Sequence, residues 1–279
     1  AKRIFFDNSI FSIVDNYAPF SHNDYPSLVP AFASSVATLV GYWNEVLPKI
    51  AFPLMFLPPL VVTYVFFNNT NYLIFLSIVF FIIGKYLFNG WADGLVAVYF
   101  GLSSFFMYLL IINENNDFRE NKILYLITFC FFISLTLIKN EGIALLLILF
   151  LSTFLIKIYK HELKNNFINL IYLLFSFIPI ISWRLFCYSK GVGNDYINSS
   201  ILINLIPRLS NFENYKLIFY FLLLNEKFLY SLAFFLIVFW MRWNKQLFAF
   251  VFINAISYIL ILFFIFLSTP LDFYFQLDS

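Results

Sequence analysis

Asp24 and Asp93 are the two carboxylates of this chain whose settings suit acid–base work. Asp24 stands in Ser21-His22-Asn23-Asp24-Tyr25-Pro26, two residues after a histidine and directly before a long apolar run. Asp93 stands in Trp91-Ala92-Asp93-Gly94, again tight against an apolar run. Lys139 and Glu141 flank Asn140 in a short polar break between two apolar segments. A carboxylate so placed can take a proton from an acceptor hydroxyl. A histidine or lysine beside it can hold an anion as negative charge develops in a transition state. The expected division of labour is Asp24 and Asp93 as catalytic carboxylates, with His22, Lys139 and Glu141 around the substrate.

Each of these residues also has a plain structural reading. Asp24 before Tyr25-Pro26, and Asp93 before Gly94, can cap the helices that follow them. Lys139 and Glu141 can form the polar turn of a helical hairpin. Convergence favours the functional reading: four short ionisable motifs, each at the mouth of a span, would ring one cavity, and charges held at membrane depth are costly. Other chemistries find less support. The second histidine, His161, falls in a different loop from His22, so a histidine-based zinc site is not expected. No metal ligand set is assigned, and a divalent cation is the one cofactor left open. The sequence has neither a glycine-rich phosphate loop nor a Gly-x-Ser-x-Gly nucleophile motif. Cys130 and Cys187 lie in or beside apolar runs and read as packing residues.

The elements that must position these residues are membrane helices. Apolar residues make up 62% of the 279 and charged residues 11%, far from the balance of soluble domains. The long apolar runs do not alternate with polar residues as barrel strands do, so the expected fold is an all-α, polytopic transmembrane bundle. Segments are expected near 27–43, 49–67, 71–84, 93–112, 122–138, 142–159, 167–187, 228–241 and 246–267, within a range of about 8–10 crossings of roughly 20 apolar residues each. The whole of 1–279 reads as one transmembrane domain with outer loops 1–25 and 188–227. Within the second loop, Ile201–Ile206 and Leu217–Leu224 suit amphipathic helices at the membrane surface. The start at Ala1 and the polar end at Ser279 read as a piece of a longer protein. A net charge of +2 without a dense basic cluster gives no reason to expect nucleic acid.

Orientation follows from the basic short loops 157–166 and 242–245, which are expected in the cytoplasm. Loops 89–94, 138–142 and 268–279 then face outward. Three segments separate Asp24 from Asp93, which would put the two on opposite faces. The segment 71–84, roughly 20 Å long as a helix, is therefore expected to enter and return on the outer side.

Four stretches in order, His-Asn-Asp-Tyr-Pro-Ser-Leu-Val-Pro (22–30), Trp-Ala-Asp-Gly-Leu-Val-Ala-Val-Tyr-Phe (91–100), Ile-Lys-Asn-Glu-Gly-Ile-Ala-Leu-Leu-Leu (138–147) and Ser-Thr-Pro-Leu-Asp-Phe-Tyr-Phe-Gln-Leu-Asp-Ser (268–279), resemble bacterial membrane proteins of the GT-C glycosyltransferase superfamily. Relatives there include protein O-mannosyltransferases and lipid A aminoarabinose transferases. The resemblance implies transfer of a sugar from a polyprenyl-phosphate carrier to a glycan, lipid or protein acceptor outside the bacterial inner membrane. It implies that His22, with Asp24 and Tyr25 beside it, meets the carrier phosphate, and that Asp93 is the second acidic position. His22, Lys139 or Arg184 would supply positive charge to the phosphate leaving group. Members hold a catalytic carboxylate after the first span, which would lie upstream of Ala1. Members often carry a histidine where this chain has Tyr274–Gln276. Two other classes remain open: a transporter or flippase of lipid-linked saccharide, and an O-antigen polymerase or ligase.

Overall fold

A computed structural model of the chain describes residues 1–12, 24–67, 74, 92–112, 121–160, 167–193, 201–223, 229, 232, 236 and 244–268. Among the described residues all regular structure is helical and no strand occurs. Such a sequence has little alternative in a membrane. With no water to satisfy N–H and C=O groups in the hydrocarbon, an apolar segment must close its hydrogen bonds on itself.

The helices are α1 (Lys2–Asp7), α2 (Leu28–Val40), α3 (Ala51–Met55), α4 (Leu57–Phe67), α5 (Asp93–Ile112), α6 (Lys122–Ile138), α7 (Glu141–Tyr159), α8 (Phe167–Leu174), α9 (Ile178–Ser189), α10 (Ile201–Ser210), α11 (Phe212–Leu223) and α12 (Lys245–Ser268). Short 3₁₀ turns at Leu47–Ile50 and Phe175–Phe177 lead into α3 and α9. Among the described residues five stretches are long and apolar enough to cross a membrane: Leu47–Phe66, Asp93–Ile112, Glu141–Tyr159, Leu170–Ser189 and Lys245–Ile265. The chain is thus an integral membrane protein by helix length and composition. The expected segments 71–84 (apart from Ile74) and 228–241 (apart from Leu229, Leu232 and Leu236) lie outside the described residues.

One expected crossing is shorter than its apolar run. Apolar character continues from 27 to 43, yet α2 has only 13 residues, or about 20 Å of helix against a core of about 30 Å. Pro30 sits in its first turn, where a missing N–H costs nothing. Gly41, at φ 87, ends it by returning its N–H to the carbonyls of Ala37 and Thr38. The half-buried Trp43 and Asn44 and the exposed Glu45 follow, with the Asn44 carboxamide accepting the N–H groups of Val46 and Leu47.

The chain divides into two compact units. The first comprises Ala1–Leu147 and Lys164–Val192. Its principal helix pair is α5 on α6, and α6 also meets α2, α8 and α9. The core holds Leu95, Phe106, Met107, Phe132 and Leu135, with Phe106 and Phe131 in ring contact at 5.5 Å. The Tyr99 hydroxyl donates to the Met55 carbonyl at 2.8 Å, fixing α5 to the end of α3. The second unit comprises Ile148–Leu163 and Gly193–Ser279. There Ser152 of α7 donates to the Asn254 carboxamide oxygen of α12 at 2.8 Å, both side chains being buried. Ile218 of α11 packs on Leu267 of α12.

Candidate functional site

Asp93, Lys139 and Glu141 are each placed by a local feature of sequence. Asp93 opens α5, where a carboxylate complements the helix N-terminus. Lys139 follows α6 in extended conformation (φ −154, ψ 154), and Glu141 opens α7. Two residues therefore join α6 to α7. Gly142 makes so abrupt a reversal possible: a Cβ there would overlap the Leu135 carbonyl oxygen. The turn is closed by the N–H of Gly142 on the Lys139 carbonyl at 3.0 Å and that of Ile143 on the Asn140 carbonyl at 3.2 Å.

The antiparallel pairing of α5 and α6 brings the start of one beside the end of the other, and there the charges meet. The Lys139 ammonium lies 2.8 Å from Asp93 Oδ1 and 3.1 Å from Glu141 Oε1. It also stands 6.0 Å above the centre of the Tyr25 ring, within cation–π reach. Burial works to lower the Lys139 pKa. The hydrogen bond to Asp93, the charges of Glu141 and Asp93 and the hydrogen bond to Glu141 together outweigh it, so the ammonium is held above its ordinary 10.5. Asp93 itself is open, its side chain 64% exposed.

Asp24 has the opposite setting. It is 2% exposed and gathers three donors. Asn140 Nδ2 donates to its Oδ2 at 2.7 Å, Arg184 Nη1 to the same oxygen at 3.0 Å, and the Trp183 indole to its backbone carbonyl at 3.1 Å. This residue ties the segment entering α2 to the α6–α7 turn and to α9. The two carboxylates are thus neighbours in one network, linked through the consecutive residues Lys139 and Asn140. The expected half-span 71–84 lies outside the described residues.

The network therefore contains Asp24, Tyr25, Asp93, Lys139, Glu141 and Arg184; His22 lies outside the described residues, as does the tail 269–279. Sequence reasoning missed Asn140, Trp183 and Gly142. Asn140 sits between two singled-out residues, and Trp183 precedes one. Their proximity in sequence was the available signal, although neither type announces a carboxylate partner. Among the described residues three carboxylates face two cations here, one negative charge in excess. Among the described residues no donor reaches the buried acceptors Asn140 Oδ1 and Glu141 Oε2. A ligand bringing hydroxyl groups suits this arrangement better than a bare anion at Lys139, whose charge is already shared between two carboxylates. Among the described residues no group of three or more His, Cys, Asp or Glu side chains is placed to hold a metal ion.

Comparison of the chain with protein-family models, with curated proteins and with solved structures finds no match.

Proposed function

We propose that the chain is a membrane glycosyltransferase of the GT-C type, moving a sugar from a polyprenyl-phosphate carrier to an acceptor hydroxyl on the outer side of a bacterial inner membrane. The observation that carries the reading is the meeting of Asp24, Asp93, Lys139, Glu141 and Arg184, from four separated segments, in one polar network. The motif resemblance points the same way.

In the proposed reaction the bond between the sugar anomeric carbon and the phosphate oxygen breaks, and the acceptor oxygen forms a new bond to that carbon. The acceptor proton passes to a carboxylate, and the leaving lipid phosphate keeps the electron pair. Asp93 is the exposed carboxylate suited to that proton, with Lys139 fixing its orientation. Asp24, buried and triply held, positions the loop rather than exchanging protons. Arg184 spends one N–H on Asp24; a guanidinium carries five, so it is the better cation of the network for the leaving phosphate. Asn140 and Glu141 offer acceptors to sugar or acceptor hydroxyls. The carrier tail lies among the apolar helices.

The test is reconstitution of the full chain in vesicles with a radiolabelled polyprenyl-phosphate hexose and a membrane extract as acceptor source. Transfer of label out of the carrier, with release of polyprenyl phosphate, is the expected result. Movement of intact carrier across the bilayer without cleavage would assign a flippase instead. Neither event would remove the reading.

A further inference from the structure

In the second unit, α10 and α11 meet at a corner whose chemistry is unlike a water-exposed turn. The carbonyl groups ending a helix ordinarily turn to water. Here the side chains of the next helix take them. The Arg208 carbonyl accepts Asn214 Nδ2 at 3.2 Å, and the Leu209 carbonyl accepts the Tyr215 hydroxyl at 2.7 Å. The Asn211 carboxamide in turn caps α11, accepting the Glu213 N–H at 3.1 Å. Polar backbone satisfied from within can leave water at little cost.

The corner's outer surface is apolar beside charge. Phe212 is 77% exposed and Phe219 56%; seven residues apart, they share one stripe of the helix. Glu213 and Lys216, paired at 4.0 Å, run alongside it. The flank of α11 on the other side of the stripe from Glu213 and Lys216 is occupied: Tyr215, whose ring meets that of Phe212, and Ile218 pack on Phe263 and Leu267, near the C-terminal end of α12. α12 is long and apolar enough to cross a membrane, and Phe252, Ile256, Leu260 and Phe264, four apart, make an exposed apolar stripe along it. The Phe212–Phe219 stripe is thus attached at the C-terminal end of a helix long and apolar enough to cross a membrane.

We infer that the α10–α11 corner is a lipid-binding surface: it lies in the boundary between headgroups and acyl chains, with Phe212 and Phe219 in the bilayer and Glu213 and Lys216 at its surface. The continuity with α12 selects phospholipid as the occupant, and the neighbouring apolar and charged strips match a helix lying in the membrane plane about 5–10 Å deep. This surface is independent of the polar network and of any activity assigned to it.

The experiment uses the full chain with Cys130→Ser and Cys187→Ala, reconstituted in phosphatidylcholine–phosphatidylglycerol vesicles. Single nitroxide labels are placed at Phe212→Cys, Phe219→Cys and Glu213→Cys, with Leu260→Cys as reference within the membrane. Collision rates with oxygen, which concentrates in lipid, and with a water-soluble nickel chelate are compared. The expected ratio of oxygen to nickel at 212 and 219 is several-fold above that at 213 and approaches that at 260. A ratio at 212 and 219 equal to that at 213 overturns the inference. A lipid-like ratio at only one of the two also overturns it, because a single stripe must enter together. All four labels replace exposed side chains, and monodisperse elution of each variant verifies folding.

Discussion

Asp24 and Lys139 share a network but carry different burdens. Asp24 is a buried charge matched by Arg184 and Asn140, so deleting one partner strands the other in a poorly solvated place. Asp24→Ala and Arg184→Met are each expected to destabilise by about 3 kcal/mol or somewhat less, since Arg184 keeps some contact with solvent. In the double variant the combined loss falls short of the sum by at least about 1 kcal/mol. Thermal unfolding in detergent measures the cycle, and strictly additive losses would contradict the pairing. Lys139 makes a pH prediction. Its pKa is raised, so the stability it contributes is complete below the ordinary 10.5 and is lost as pH climbs through the raised value. The melting temperature is therefore expected to show no Lys139-linked change between neutral pH and about 9.5. Above 10.5 it should fall more steeply in the wild type than in Lys139→Met. Equal alkaline slopes would show that the ammonium is not held by Asp93 and Glu141.

At the scale of elements, the α6–α7 reversal decides where the network forms. Gly142→Ala places a methyl group against the Leu135 carbonyl, and the backbone must shift to relieve it. The expected cost is about 1–3 kcal/mol, as for other overpacked sites, together with weakened Lys139 pairing. A circular-dichroism melt matching the wild type within error would mean the turn relaxes freely. Much at this scale was legible beforehand. The apolar runs 93–112, 122–138 and 142–159 correspond almost residue for residue to α5, α6 and α7, because a run bounded by charges has only one way to sit in lipid. The length of α2 was not legible. Its apolar run continues to Trp43, and only the left-handed conformation of Gly41 ends the helix at Val40. The network was legible in part. Residue type drew attention to Asp24, Asp93, Lys139, Glu141 and Arg184, whereas Asn140 and Trp183 act through hydrogen bonds between residues over a hundred positions apart in sequence. No local pattern encodes such pairings.

At the scale of the molecule, the proposed activity requires the network to face outward. Lys160 ends the stretch containing α7, and Lys190 follows α9, with the candidate span Leu170–Ser189 between them. In intact cells an impermeant maleimide is expected to label Lys190→Cys and spare Lys160→Cys. The reverse pattern would turn the network toward the cytoplasm and remove the proposed outer reaction. The most direct measurement is sugar transfer from labelled polyprenyl-phosphate hexose by Asp93→Asn, with Glu213→Gln, remote in sequence and in the other unit, as control. Loss of one preorganised charged contact predicts a rate lower by about 10²-fold or more, with insertion, elution and melting temperature close to wild type and the control fully active. Undiminished transfer by Asp93→Asn would contradict the account, reducing the network to a set of ties between helix ends.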